Sequence, residues 1–333
     1  MKRILFLKFG ALGDVLMTTP LLRQTRFAFP DAEIDFWVAQ SFAVALRGNP
    51  YLSRVTTFDP EIFTKKRVCA LLKLVRKLYD RHYDLAFVLD KHVVFALTAW
   101  LARIPHRIGF KRDRLTALFL TQSALYGYLR HDVHCNLDLL NRVALSNYSD
   151  AGLDFFGAAP AGQVSARFPE LAEPYIVCAN SGGKNVRETT DVRRLPDGLF
   201  VELVRRLTMQ HRVVLLGDRS DREYYASLPL PPGAENLAGK TSIPECATII
   251  ANARKMFTTD CGLMHLAATT DTPICALFGP THPGKKAPLR DQVESLWTDE
   301  TIYDPEYDRC GRIPRTEYFR SLELRHVLAF EGW

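Results

Sequence analysis

The first 22 residues, MKRILFLKFGALGDVLMTTPLL (Met1–Leu22), decide the fold of this chain. The apolar run ILFLKF predicts a buried strand, and two glycines, Gly10 and Gly13, follow it closely. Asp14 then begins a segment with helical periodicity, and Pro20 inside that segment should make the helix kink or restart. A strand, a glycine turn and a helix in this order are typical of the first βα unit of a parallel sheet.

The same alternation of short apolar runs and amphipathic segments continues along the chain and restarts near Tyr175. The runs EIDFWVA, RVTTF, DLAFVLD and RIGF predict further strands in the first half, and YIVCAN, RVVLLG, KMFTTD and PICALFG predict strands in the second. We therefore expect an α/β protein with two Rossmann-like parallel-sheet domains that face a cleft at the carboxyl ends of their strands. The predicted division is an N-terminal domain over 1–160, a linker over 161–173, a second domain over 174–315, and a C-terminal helix over 316–333 that could pack back on the first domain.

Composition excludes several classes of protein. Hydrophobic residues make up 47% and charged residues 24% of 333 residues, which is typical of a soluble globular chain of about two domains. No apolar run is long enough to span a bilayer, and Lys8 interrupts the first one, so we interpret the N-terminus as a strand and not as a signal peptide. Seven scattered cysteines without a CxxC pair suit a reducing cytoplasm, and the dispersed basic residues behind a net charge of +6 indicate no nucleic-acid partner.

The turn from Gly10 to Asp14 has the spacing GxxGD and not the GxGxxG of a dinucleotide fingerprint. A carboxylate at the helix start would repel a pyrophosphate, so this turn should not bind a dinucleotide. An aspartate in such a place is most often an N-cap. It could instead be a catalytic base, because the glycines allow a substrate hydroxyl to approach and a carboxylate facing a cleft can remove its proton. The residues alone leave both interpretations open.

The segment TTDCGLMHLAA (Thr258–Ala268) carries the second candidate site. Asp260 ends a predicted strand, and Cys261 and Gly262 lead into a helix that bears His265. The N–H groups at such a helix start can hold a pyrophosphate without a metal ion. The alternative is an ordinary turn with a capping aspartate and a core histidine.

Two further loops that follow strands of the second half are candidate binding sites. In the loop after YIVCAN, glycines lie beside basic side chains, which suits phosphate oxygens, although a solvated basic loop is the simpler alternative. After the next strand, Asp218, Asp221 or Glu223 within LLGDRSDRE could accept hydrogen bonds from ribose hydroxyls. The residues of the first loop are Ser181, Gly182, Gly183, Arg193 and Arg194.

No DxD, HxxxH or HExxH pattern presents a metal site, so we expect arginine, lysine and a helix N-terminus to offset the charge of a leaving diphosphate. The chain should therefore need no metal ion and no resident cofactor.

In combination, these motifs resemble glycosyltransferase family 9, the heptosyltransferases of bacterial lipopolysaccharide synthesis, which have the GT-B fold. The resemblance spans nearly the whole chain and lies in GALGDVLMTTPLL, HDVHCNLDLLNRV, RRLPDGLFVELVRRL, GKTSIPECATIIANA, TTDCGLMHLAA and ALFGPTHP. It implies an inverting, metal-independent transferase that moves a sugar, heptose from ADP-heptose, to a lipopolysaccharide core or related glycan. It also implies a lipid-linked glycan acceptor and a cytoplasmic location that could be peripheral on the inner membrane.

The resemblance makes Asp14 the base and places one basic residue of the donor site at Arg193 or Arg194, before a helix where Leu195 replaces the usual Trp. Cys261 stands where the family has Ser or Thr, which leaves the donor sugar and its base open, as does a long loop over 184–191. We expect Lys111 and Arg112 to bind the acceptor. The expected donor-binding residues are Gly13, Ser181, Gly182, Gly183, Arg193, Arg194, Asp221, Asp260, Cys261, Gly262, Leu263 and His265.

Three rival functions remain to be weighed. A sugar-nucleotide epimerase of the same fold would use the donor pocket without an acceptor. A non-catalytic sugar-nucleotide binding protein is expected if Asp14 only caps its helix. An NAD-dependent oxidoreductase is disfavoured because neither half has GxGxxG after a strand.

Overall fold

A computed structural model describes residues 1–65, 67–127, 129–144, 147–182, 192–297 and 318–329. The chain divides into two compact units, Met1–Gly157 and Ala158–Trp333, called the first and the second unit below. The segment 161–173, expected to be a linker, contains a short α-helix and a 3-10 helix and belongs to the second unit.

The first unit is built on a sheet of six parallel strands in the order β3-β2-β1-β4-β5-β6. Its central strands are short apolar runs buried on both faces, as a parallel sheet covered by helices requires. In the register of the sheet, Leu7 lies between Trp37 and Val88. The strands are β1 (Arg3–Lys8), β2 (Glu33–Ala39), β3 (Arg54–Phe58), β4 (Leu85–Val88), β5 (His106–Lys111) and β6 (Gln122–Leu125).

Helices of the first unit connect these strands. The prediction that Pro20 restarts the helix is confirmed, because one helix ends at Leu16 and the next begins at Thr19 with Pro20 in its first turn, where no amide donor is needed. The helices are α1 (Leu12–Leu16), α2 (Thr19–Ala28), α3 (Glu61–Thr64), α4 (Val68–Asp80), α5 (Val93–Leu101), α6 (Arg114–Leu118) and α7 (Asp132–Asn141), and Gln40–Leu46 forms a 3-10 helix.

The second unit repeats this architecture with a parallel sheet in the order β12-β11-β10-β7-β8-β9. Cys178 of the central strand lies between Leu215 and Phe257. The strands are β7 (Tyr175–Ala179), β8 (Arg212–Leu215), β9 (Ala234–Asn236), β10 (Met256–Thr259), β11 (Ile274–Leu277) and β12 (Val293–Leu296).

Two helices of the second unit begin with a capping box, in which the N-cap side chain and the side chain three residues later satisfy each other's backbone amides. The helices are α8 (Ala161–Arg167), α9 (Asp197–Leu207), α10 (Arg219–Ser227), α11 (Ile243–Ala251), α12 (Gly262–Ala267), α13 (Pro283–Lys286) and α14 (Leu324–Ala329), and Pro169–Ala172 forms a 3-10 helix.

Residues 318–329 belong to the core of the second unit. Phe319 and Val327 are buried in the same apolar cluster as Phe200 of α9, and α14 packs on α9. The sequence predicts a helix over 316–333 that could pack back on the first domain. The described part of that segment lies beside the second sheet, and the packing on the first domain stays a prediction.

Within the described ranges, no helix combines the length and the hydropathy that crossing a bilayer requires.

Both sheets have the doubly wound strand order 3-2-1-4-5-6 when the strands of each unit are counted from one. In such a sheet the connections leave in opposite directions from the two central strands, β1 and β4 in the first unit and β7 and β10 in the second. Ligands of open α/β sheets bind at this switch point, outside the carboxyl ends of the strands.

Candidate active site

The turn after β1 places Asp14 at the switch point of the first sheet. Helix α1 has Ala11 as its N-cap, so Asp14 lies within the first turn, where its carboxylate is half-buried. Asp14 is therefore not the N-cap residue of α1, and that interpretation is wrong. Gly13, the predicted neighbour of the donor, is buried in the same turn.

Close packing holds this turn against the 3-10 helix of the first unit. A Cβ atom added to Gly10 would lie 2.1 Å from the ring of Phe42. Gly10 was expected to leave room for a substrate hydroxyl, but the ring of Phe42 fills the space beside it and leaves no room for a side chain there.

A buried ion pair, which the sequence reasoning missed, anchors the start of the turn. Lys8 Nζ lies 3.2 Å from Asp90 Oδ1, and the backbone amide of Phe9 donates a hydrogen bond to the same carboxylate. Both charged side chains are mostly buried. Because β1 and β4 are adjacent and parallel, polar residues just beyond their carboxyl ends must meet, and this rule could have identified the pair.

A second anchor comes from the motif HDVHCNLDLLNRV. Its Asn136, on α7, donates a hydrogen bond from Nδ2 to the carbonyl oxygen of Met17, at 3.0 Å. Met17 is the C-cap residue of α1. Asp90 therefore holds the start of the turn that leads into α1, and Asn136 holds the end of that helix.

In the second unit, the loops that follow β7 and β10 meet at the switch point. The amide of Ser181 donates to Thr259 Oγ1 at 3.2 Å, and that hydroxyl donates to the carbonyl oxygen of Ser181 at 2.8 Å. Gly182 is buried beside them. Gly183 and the loop 184–191, also expected near the donor, lie outside the described residues.

Arg193, Asp260 and His265 form one cluster beyond the end of β10. Arg193 Nη1 donates to the carbonyl oxygen of Asp260 at 3.2 Å and lies 3.6 Å from its Oδ2. His265 Nε2 lies 4.0 Å from Oδ1 of the same carboxylate, too far for a hydrogen bond. All three side chains are largely buried. The structure thus brings together three residues that the sequence analysis assigned to the donor.

Cys261 occupies the N-cap position of α12, and Gly262 and Leu263 form the first turn of that helix. The thiol lies 3.5 Å from Thr258 Oγ1. Burial raises the pKa of the Cys261 thiol above its ordinary value. The side chain is therefore a neutral, protonated group and not a reactive thiolate. It can replace a Ser or Thr of the family as a small side chain of similar shape.

The structure does not favour the predicted contact of Asp221 with a ribose. Its carboxylate is buried, with Oδ1 2.6 Å from Arg194 Nη2 and Oδ2 accepting from the amide of Asp218. Arg194 also lies over the ring of Tyr224, 4.2 Å from its centroid. Asp221 is thus engaged in holding Arg194 and the start of α10.

This arrangement separates the two arginines that the sequence could not distinguish. Arg193 reaches Asp260 of the TTDCGLMHLAA motif, whereas Arg194 is paired with Asp221.

Lys111 and Arg112, expected to bind the acceptor, are exposed at and just beyond the carboxyl end of β5. This strand is two places from β1 in the sheet, so both basic residues lie on the edge that also carries Asp14.

Among the residues that the structure describes, there is no group of three His, Cys, Asp or Glu side chains placed to hold a metal ion.

Two doubly wound six-stranded units, each with polar candidate residues at its switch point, give the chain the architecture of the GT-B fold. The chain belongs to glycosyltransferase family 9 (heptosyltransferase), whose family model matches residues 71–310. The expected family and fold class are therefore confirmed, and the chain is an enzyme that transfers a glycosyl group.

Individual relatives agree with this assignment. Lipopolysaccharide heptosyltransferase 2 of Salmonella typhimurium is 27% identical over 313 residues, which cover 85% of this chain and 84% of the relative. A family 9 glycosyltransferase from Veillonella parvula superposes with a TM-score of 0.85 at 19% identity, covering 99% of this chain and 96% of that one. An Escherichia coli heptosyltransferase solved with ADP-2-deoxy-2-fluoro heptose superposes with a TM-score of 0.71 at 21% identity, and 99% of each chain is covered.

The position of Asp221 depends on the glycine that ends the turn after β8. A Cβ atom at Gly217 would lie 2.5 Å from Cβ of Asp221, a backbone-proximal atom that cannot move without the start of α10. We expect Gly217→Ala to lower the free energy of unfolding by about 1–3 kcal/mol. Gly198→Ala on α9 is the matched control, because a Cβ atom there meets nothing within 4 Å and should stabilise the helix by about 0.5–1 kcal/mol. Urea denaturation measures both, and equal effects would contradict the described packing.

Proposed function

We propose that this enzyme transfers heptose from ADP-heptose to a hydroxyl of a lipopolysaccharide core or a related lipid-linked glycan. Membership of the family supports the reaction class, and the relatives with lipopolysaccharide in their names support the acceptor class. The donor is supported by the E. coli heptosyltransferase, which was solved with an ADP-heptose analogue. With a lipid-linked acceptor, the enzyme would work at the cytoplasmic face of the inner membrane.

The observation on which the mechanism rests is the place of Asp14, in the first turn of α1 at the switch point of its sheet. There its carboxylate takes the proton of the acceptor hydroxyl. The hydroxyl oxygen forms a bond to the anomeric carbon, and the bond from that carbon to the diphosphate oxygen breaks. The electron pair leaves with ADP. One displacement inverts the anomeric configuration.

Arg193 is the group that we assign to the leaving diphosphate. It is always charged, its Nη1 already lies against the backbone of Asp260, and it is largely buried, where a charge acts more strongly than in water. Ser181, Gly182, Cys261, Gly262, Leu263 and His265 surround this point as the remaining donor residues. Charge on the leaving group is then offset by the protein, without a metal ion.

The first prediction concerns the base. Asp14→Asn keeps the size of the side chain but cannot accept the proton, so kcat should fall by about 10²–10⁴-fold. The affinity for ADP, measured by calorimetry with a chelator present, should stay within about twofold of the wild type, because the substitution affects the chemical step and not the binding of the nucleotide. Asp80→Asn, at an exposed carboxylate on α4, is the control and should change neither quantity.

Three other outcomes would each contradict the proposal for Asp14. Full activity of Asp14→Asn would remove it from the chemistry. Consumption of the nucleotide sugar without any acceptor would favour an epimerase. Tight binding of the nucleotide sugar with no turnover by the wild type would favour a binding protein.

The second prediction separates the adjacent arginines. Arg193→Gln removes the charge that faces Asp260 and should weaken ADP binding by about 10–100-fold, the usual value of a charge-assisted hydrogen bond. Arg193→Lys restores a charge and should recover most of that affinity. Arg205→Gln, at an exposed ion pair on α9, serves as the control. Loss of affinity in Arg194→Gln alone would show that the two roles are reversed.

The third prediction tests the acceptor side. Reversing the charge of Lys111 and Arg112 to Glu should raise the KM for a delipidated, anionic acceptor about tenfold or more and leave the affinity for ADP unchanged. The double variant Lys73→Glu/Lys77→Glu on α4 makes the same change of charge at exposed positions of the same unit. An equal rise of KM in both double variants would mean that only net charge matters, and unchanged acceptor kinetics would remove Lys111 and Arg112 from the site.

A further inference from the structure

Large apolar side chains are exposed in one short part of the first unit. Of the thirteen that are exposed in the described part of the chain, six lie within residues 100–129. A cluster of this kind is unusual on a water-soluble surface, where single apolar residues are normal but groups mark an interaction site. The six are Trp100, Leu101, Leu115, Leu118, Leu125 and Leu129.

These residues lie on α5, on α6, on β6 and just after β6, at one end of the first sheet. Helix α6 packs on α5 and β5, and the rings of Trp100 and Phe119 are 5.5 Å apart. Leu115 and Leu118 are three residues apart on α6, so they share one side of that helix. Leu125 ends β6, which is an edge strand. We call the six exposed apolar residues, together with Lys111, Arg112 and Arg114, the α6 surface.

The charges within the α6 surface have one sign. Lys111, Arg112 and Arg114 are exposed, and Lys111 lies opposite Leu125 in the sheet register. Between residues 100 and 130 there are six Lys or Arg residues and a single acidic residue, Asp113. The carboxylate of Asp113 caps α6 by accepting from the amide and the hydroxyl of Thr116, both at 2.7 Å. The field around the exposed leucines is therefore positive.

These charges favour one occupant over another. In a twofold dimer the same patch meets itself, so the basic side chains of two copies would be brought together and would repel each other. An anionic lipid surface matches both parts of the patch, because leucine and tryptophan enter the headgroup boundary while arginine and lysine meet the phosphates.

We propose that the α6 surface docks this enzyme on an anionic lipid bilayer. Trp100, Leu118 and Leu125 enter the interface, and Lys111, Arg112 and Arg114 lie at the level of the phosphates. The inference rests on the proposed function only in that a lipid-linked acceptor explains why the enzyme would need such a surface. It names a binding partner of the first unit that is separate from the donor and from the reacting hydroxyl.

Co-sedimentation with vesicles tests the docking directly. The wild-type enzyme should bind vesicles of phosphatidylcholine that contain phosphatidylglycerol, bind pure phosphatidylcholine much less, and lose affinity as salt is added. Leu118→Glu/Leu125→Glu should lower the partition coefficient by about tenfold or more. Met209→Glu is the matched control, because Met209 is 68% exposed in the second unit, compared with 71% for Leu118 and 77% for Leu125. Circular dichroism checks that every variant is folded.

Trp100 provides a local readout of the same event. Its fluorescence should shift to the blue when anionic vesicles are added, because the indole leaves water, and Trp100→Phe should lose that shift while still sedimenting with the vesicles. A shift of equal size in Trp100→Phe would place the contact elsewhere on the protein.

The remaining outcomes overturn the proposal in distinguishable ways. Equal vesicle binding by Leu118→Glu/Leu125→Glu and the wild type would exclude the α6 surface. A concentration-dependent dimer that only the leucine variant abolishes, with no vesicle binding by the wild type, would make a second copy the occupant. Failure of heptose transfer with intact vesicle binding would reject the proposed function and leave the docking surface standing.

If the proposed function and the docking proposal are both correct, Leu118→Glu/Leu125→Glu should keep its kcat/KM on a delipidated acceptor. On an acceptor embedded in vesicles its kcat/KM should fall by about tenfold or more, in proportion to the lost partitioning. Equal activity of this variant and the wild type on the embedded acceptor would mean that docking does not serve catalysis.

Discussion

The parallel direction of all strands in each sheet is the constraint on which the rest of the molecule depends. Because every strand ends at the same edge, the loops that follow neighbouring strands must come together there. The doubly wound order then turns the connections apart between the two central strands and opens a crevice at that edge. Asp14 and Asp90 lie at the crevice of the first sheet, and Ser181 and Asp260 lie at the crevice of the second. Function in this fold is thus a property of four loops that packing holds in place.

Much of this could be predicted from the sequence, for physical reasons that differ by element. The nine predicted strands are apolar runs whose burial leaves a clear pattern, as in YIVCAN. The strands missed were β6, β9 and β12, whose sequences are QSAL, AEN and VESL. All three are edge strands, which pair with a neighbour on one side only and carry fewer apolar residues than the central strands. Pairing with a neighbour makes them strands, and pairing is not visible in a local window.

The sequence was enough to single out candidate residues that depend on position after a strand, and it missed contacts that depend on pairing. Asp260 and Ser181 lie within two residues of a strand end, and Asp14 lies in the first turn of the helix after β1, so the order of elements pointed to them. Asp221 also follows a strand, but its carboxylate pairs with Arg194, 27 residues away in sequence. That pairing cannot be read from spacing, and the ion pair of Lys8 and Asp90 can be inferred only once β1 and β4 are known to be neighbours. Likewise, only the observed contacts tell Arg193 from Arg194, since the two are adjacent and chemically alike.

The burial of residues 318–329 in the second core also bears on synthesis. Phe319 and Val327 complete an apolar cluster that includes the sheet strands of the second unit, and a Cβ atom at Gly279 would lie 2.7 Å from the ring of Phe319. The first unit is complete once Gly157 has left the ribosome and can fold while the rest is translated. The second unit has less freedom. Its sheet keeps an open apolar face until residues 318–329 emerge, so its core is completed long after that of the first unit and stays accessible to chaperones in the meantime.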